Sequence, residues 1–229
     1  MCFSAEASFG LGAALLPAGI YCIDAARRKS PRSWPWAWMP IAFGVQQISE
    51  GFVWVGISHG HPEMVRAGSY VFLFFALTFW PFWAPFSAYK TETRPWARRY
   101  IAVAMFVGLV LGLALYAPIA INSDWLHTRQ VYHSIQYKME GTPALDAFPW
   151  AIAQVLYLAV VSFPLVLQSR KGSIRFGIVL FAAAAVAYIF YRYAFASVWC
   201  FFAAIISLGL CSFFWRLQNP DAPQINRES

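Results

Sequence analysis

Apolar residues along this chain gather into seven long runs, near 5–23, 36–57, 67–89, 100–120, 148–169, 176–195 and 197–217. None alternates with the period of two that a half-buried strand requires, and each approaches the roughly 20 residues a helix needs to cross a bilayer. The pattern predicts an all-α polytopic membrane protein with seven transmembrane helices, a single domain over residues 1–218. Residues 219–229, with Pro220 and Pro223, read as a flexible tail. Only one connection is long, 121–147, and it is expected to lie outside as a cap over the bundle. The first run carries Glu6 where a secretory leader would be basic, so it is expected to persist as a helix.

Composition sharpens this. The 229 residues are 60% hydrophobic and 12% charged, about half the charge density of a soluble domain. A net charge of +7 would point to nucleic acid in a soluble protein, but basic residues beside apolar spans fix topology and meet anionic lipid. The lipid bilayer is the expected partner and nucleic acid is not. Arg27, Arg28, Lys29 and Arg32 follow the first run, Lys90, Arg94, Arg98 and Arg99 the third, Arg170, Lys171 and Arg175 the fifth, and Arg216 and Arg227 the seventh. The opposite side keeps Arg66, Arg129, Lys138 and Arg192. Thirteen against four predicts an external N-terminus and a cytoplasmic C-terminus in a bacterial inner membrane. Pro81 and Pro85 predict a kink in the third helix, and Ala104, Gly108 and Gly112 form a stripe that lets another backbone approach closely.

Ionisable groups inside hydrocarbon are expensive and therefore mark function. Glu50 is the one acidic residue well within a run, and helical spacing sets Gln46, Gln47, Glu50 and Trp54 on one face. At 1.5 Å per residue, Glu50, Gln154 and Tyr188 fall roughly 10 Å below the outer boundary, with Arg192 and Cys200 about 5 Å below it. The inner halves offer little beyond Asp24, Thr78, Ser162 and Ser207. The expected site is a cup open to the outside and centred on Glu50, with Gln46, Gln47, Gln154, Tyr188 and Arg192 as ligand-binding residues. Its structural counterpart is a buried ion pair of Glu50 with Arg192, or an acid hydrogen-bonded to Gln46, Gln154 or Tyr188. Its catalytic counterpart makes Glu50 a general acid or base.

All four histidines, His59, His61, His127 and His133, fall in the outer connections. Imidazole, carboxylate and thiolate are common zinc and copper ligands, so these histidines with Glu50, Glu6 and Cys2 form a candidate site for a divalent metal. Their spacing matches no standard ligand pair. Cys2 and Cys200 lie near the outer face, where a disulfide between them and a pair of separate core thiols are both open readings. Cys22 and Cys211 lie near the inner face and are expected to be reduced.

The words MCFSAEASF, FGVQQISEGFVW and VWCFFAAIISLG resemble a bacterial family of seven-helix membrane proteins, of no established activity, whose chains begin with MCFSA. The resemblance implies seven helices and draws attention to Cys2, Glu50 and Cys200, but implies no ligand. A retinal protein would need a lysine in the last run, which has none, and zinc hydrolases of the ceramidase type would need intramembrane histidines, which are also missing. The leading expectation is a protein that binds a small polar ligand, a lipid headgroup or a cation. A metal-dependent hydrolase or transferase acting on lipid is the alternative, and a transporter or an accessory subunit the third.

Overall fold

The computed structural model describes residues 4–141 and 150–219. Seven long helices carry most of them: α1 (Ala5–Lys29), α2 (Met39–Ser58), α3 (Pro62–Thr91), α4 (Pro95–Ile121), α5 (Trp150–Val166), α6 (Lys171–Phe190) and α7, formed by Phe195–Ser207 continuing into Gly209–Gln218. Ser4 caps α1 by accepting the Ala7 N–H, and Arg27, Arg28 and Lys29 stand in its last turn, where the helix dipole favours cations. Residues Pro31–Ser33 and Trp34–Ala37 form two short turns ahead of α2, so the second helix starts at Met39 and the tryptophans of this stretch lie before it.

Among the described residues five helical segments, α1, α3, α4, Gly172–Phe190 of α6 and Arg192–Gln218 around α7, are long and apolar enough to cross a membrane. They suggest a multi-pass membrane protein. α5 is shorter, and α2 is interrupted in composition by Gln46, Gln47, Ser49 and Glu50. The outward faces of α4 and α6 carry Val103, Phe106, Val110, Val179 and Phe181, all exposed; such a belt is unfavourable in water and at home in lipid.

Neighbours in sequence pack side by side, α1 against α2, α2 against α3, α5 against α6 and α6 against α7. Contacts of α1 with α7 close the ring, while α2 also meets α7 and α3 also meets α5 through the interior. The stripe on α4 packs within the chain, against α3. A Cβ on Gly108 would come 2.0 Å from the Pro81 carbonyl oxygen, and one on Gly112 would come 2.5 Å from that of Leu77.

The distortion of α3 lies one turn before the prolines that predict it: Phe74–Phe79 is a π-turn that runs directly into Trp80 and Pro81. The long connection is not a simple cap. After a turn at Ser123–Trp125 it forms an antiparallel hairpin, β1 (Leu126–Val131) and β2 (Ser134–Met139), reversing at Tyr132 and His133, with Tyr132 in the left-handed region at φ 52°. β2 packs against α7 and buries Ser134 and Ile135 completely. Residues 142–149 of the connection, the 220–229 tail and Cys2 lie outside the described residues.

Candidate functional site

The site starts from the break in α3. In the π-turn the Phe75 carbonyl takes the Trp80 N–H, five residues on. The Ala76 carbonyl would need residue 81 in the same way, but Pro81 has no N–H to give. Tyr157 of α5 donates its hydroxyl to that carbonyl. An unmatched backbone group in hydrocarbon costs several kcal/mol, so this bond ties α5 to the widened turn. Ala76 and Leu77 of the π-turn then face a cavity of about 390 Å³ bounded by α3, α4, α5, α7 and β2.

The cavity has two kinds of wall. Its apolar side includes Leu73, Leu77, Leu115 and Trp199, while Lys138 of β2 and Arg192 just before α7 supply cations. Arg192 is exposed, with its guanidinium 5.4 Å from the centre of the Tyr188 ring. Among the described residues no carboxylate pairs with it, whereas Lys138 is held by Glu140. Gln154 of α5 lines the cavity at 7% exposure, and its Oε1, itself closed off from the open volume, has no hydrogen-bond partner among the described residues. A second, narrower apolar crevice of about 30 Å³ shares Tyr157, Trp199 and Cys200 with the first and continues toward Phe43, Trp80 and Leu165.

Of the residues expected to form one cup around Glu50, only Gln154 and Arg192 line this cavity. Glu50 itself, 2% exposed, sits behind the wall: the Tyr137 hydroxyl donates to its Oε1 at 3.5 Å and Ser197 adjoins it. Tyr137 and Cys200 separate the carboxyl from the open volume, both lining the cavity and both neighbouring Glu50. Gln47 is fully buried beside the carboxyl, yet neither atom of its amide closes a well-formed hydrogen bond. Gln46 is a strut, accepting from Trp80 Nε1 at 2.7 Å and donating to the Phe72 carbonyl at 3.4 Å. Tyr188 supports Arg192 from outside the wall. The expected Glu50–Arg192 ion pair does not form, and neither Gln154 nor Tyr188 bonds the carboxyl, because Tyr137 from the hairpin fills that space, stacked on Phe72 at 4.8 Å.

The histidines do not converge. His59 and His61 stack with ring centres 6.4 Å apart, and His59 Nδ1 lies 3.0 Å from the Val55 carbonyl oxygen. His127 lies 3.8 Å from Glu140, and His133 is exposed at the hairpin turn. Among the described residues no three His, Cys, Asp or Glu side chains stand close enough to share a metal ion, and Glu6 is exposed at the start of α1. Cys200 is a free, buried thiol; its proposed disulfide partner Cys2 lies outside the described residues. Cys22 and Cys211 are also free, their sulfurs 3.4 Å apart between α1 and α7.

Sequence reasoning does not place Lys138, Tyr137 or Tyr157 at the site. The first two lie in a connection without a long apolar run, where the signal is the short alternation Ile135, Tyr137, Met139 against Gln136 and Lys138. A second polar cluster, at the opposite end of the bundle, was also missed. Glu92, between α3 and α4, is 5% exposed and accepts from the Thr93 and Arg94 N–H groups, from the Arg94 guanidinium at 3.0 Å, and from both the N–H and hydroxyl of Ser169. Burial pushes this carboxyl up, but the bonds from Arg94 and Ser169 outweigh it and hold the group well below its ordinary 4.5. Gln168 and Trp36 donate to Thr91 at 2.8 Å and 3.2 Å, and Arg170 to Ser33 at 3.3 Å.

The chain matches, over residues 1–226, the model of a family described as a family of unknown function (DUF6629), and it belongs to that family. No curated protein and no solved structure matches it.

Proposed function

We propose that this family member is a multi-pass protein of the bacterial inner membrane, with seven spans, an external N-terminus and a cytoplasmic C-terminus, and that its outer cavity binds a small polar ligand or a lipid headgroup. The orientation rests on the thirteen basic residues that follow odd-numbered helices, against four on the other side. One observation carries the binding reading: a cavity of about 390 Å³ whose apolar wall of Leu73, Leu77, Leu115 and Trp199 is bordered by the Arg192 guanidinium. A roomy, mostly apolar cavity with a few polar groups at its border is the usual form of a small-molecule site. Arg192, which no carboxylate pairs among the described residues, favours an anionic group over a cation. Glu50 acts in this reading as a buried support for Tyr137 rather than as a ligand.

Mass spectrometry of small molecules extracted from the purified protein tests the reading. A species that accompanies the wild type and is absent from the cavity-filling variant Ala153→Trp is the expected result; the same extract from both would contradict it. Single cysteines placed at His133 and Arg99, with the native cysteines removed, test orientation. A membrane-impermeant thiol reagent applied from outside should label the first alone.

A further inference from the structure

The first and last helices close the ring, and their seam holds a pair of thiols that the outer cavity does not use. Cys22 of α1 is fully buried and Cys211 of α7 is half-buried, and their sulfurs stand 3.4 Å apart although 189 residues separate them along the chain. A cysteine in a core is often no more than a small apolar side chain. Here two of them meet sulfur to sulfur, and a bond needs a further approach of only roughly 1.4 Å. The Cys211 thiol also donates to the Ala18 carbonyl at 3.7 Å, one turn before Cys22, and the Tyr21 hydroxyl donates to Gln218 Oε1 at 3.1 Å along the same seam. The path of α7 leaves one sulfur room to move. The Leu208 N–H bonds the Ile205 carbonyl and the Cys211 N–H bonds the Leu208 carbonyl, three residues back instead of four, so the helix is interrupted just ahead of Cys211. Gly209, at that interruption, is exposed, with no atom within 4 Å of where a Cβ would stand. Beyond it Gly209–Gln218 rests on α1.

We propose that Cys22 and Cys211 form a reversible disulfide, a redox latch between α1 and α7, by exchange with a low-molecular-weight disulfide RS–SR. Cys211, the more accessible thiol, reacts first: it gives up its proton, its sulfur attacks one sulfur of RS–SR, and the other departs and takes up a proton as RSH. Cys22 then loses its proton and attacks the Cys211 sulfur of the mixed disulfide, and the second RSH leaves. Both cysteine sulfurs are oxidised, and the external disulfide is reduced to two thiols. The pair lies toward the end of the bundle that carries Arg27, Arg28, Lys29 and Arg216. On the proposed orientation that end faces the cytoplasm, where thiols are ordinarily kept reduced, so the latch closes on oxidation and reopens afterwards.

The test treats the full-length protein in detergent with glutathione disulfide, alkylates the remaining thiols and maps them by mass spectrometry. Nothing in it depends on which way the protein faces, so the latch and the orientation can fail separately. Wild type should yield a Cys22–Cys211 cross-linked peptide that reduced glutathione removes. Cys22→Ala should stop at a glutathione adduct on Cys211, and Cys211→Ala should leave Cys22 unmodified. Because the bridge closes almost the whole chain into a loop, the oxidised wild type should melt roughly 5 °C or more above the reduced protein. Should either variant fail to fold, the wild-type map decides alone. Wild type in which both thiols remain open to alkylation would overturn the proposal, as would an adduct on Cys211 that Cys22 never resolves or a bridge to a different cysteine. An oxidised protein that melts no higher than the reduced one would overturn the latch.

Discussion

The two ends of the helix bundle both bury polar side chains, but they treat them differently. At the inner end the Glu92 carboxylate receives donors from Thr93, Arg94 and Ser169, and Thr91 takes bonds from Trp36 and Gln168, so that α3, α5 and the turn before α2 are joined through one network. At the outer end, among the described residues, Gln47 and Gln154 carry buried amide atoms with no well-formed hydrogen bond, and Glu50, with Ser197 and Tyr137 beside it, has no cation. The inner end is not perfect, since Gln168 Oε1 and Ser162 Oγ are also unpaired, but its buried carboxylate is matched by Arg94. A satisfied network holds helices together, and groups left without partners hold them less firmly.

The contrast breaks first if Glu92 proves dispensable. Glu92→Ala should lower unfolding free energy in detergent by roughly 2–4 kcal/mol, because it strands the Arg94 and Ser169 donors. Its pH dependence follows from the sign of the shift. A carboxylate held below 4.5 in the folded chain adds stability that is complete above that value and is lost only as pH falls further, through the folded-state value. The gap in melting temperature between wild type and Glu92→Gln should therefore be constant from pH 7 to about pH 5 and close only in stronger acid. Tyr157→Phe separates satisfied from unsatisfied groups within the outer end itself. It leaves the Ala76 carbonyl without a donor and should cost roughly 1–3 kcal/mol in the same unfolding assay. Glu50→Gln is expected to change stability by about 1 kcal/mol or less, since the amide keeps the carboxyl's shape and can still accept from Tyr137. A loss as large as that for Glu92→Ala would make Glu50 part of the frame and blur the two ends together.

Much of this frame is legible in the apolar runs, because a helix buried in lipid declares itself over some twenty residues. The shorter devices are not. The π-turn sits ahead of Pro81 rather than at it, because the missing N–H is felt by the carbonyls that precede a proline. The hairpin is only six residues per strand, and its inward face rests on Ile135 and Tyr137, too little to stand out from a loop. Depth along each helix set Gln154 and Arg192 near one another, yet depth carries no information about which way around the ring a side chain turns. Glu50 and Gln154 share a level, but Tyr137, arriving from a loop, stands between the carboxyl and the open volume. Glu92 was hidden for the opposite reason: it lies between two spans, where an acidic residue is ordinarily solvated.

The most direct test is the thermal unfolding of Ala153→Trp beside wild type, in delipidated detergent and again with the small molecules extracted from wild type added back. Wild type should gain several degrees from the extract, and the variant, whose indole fills the cavity, should gain nothing. An equal gain in both proteins, or none in either, would contradict the account, and the cavity would lose its claim to a ligand.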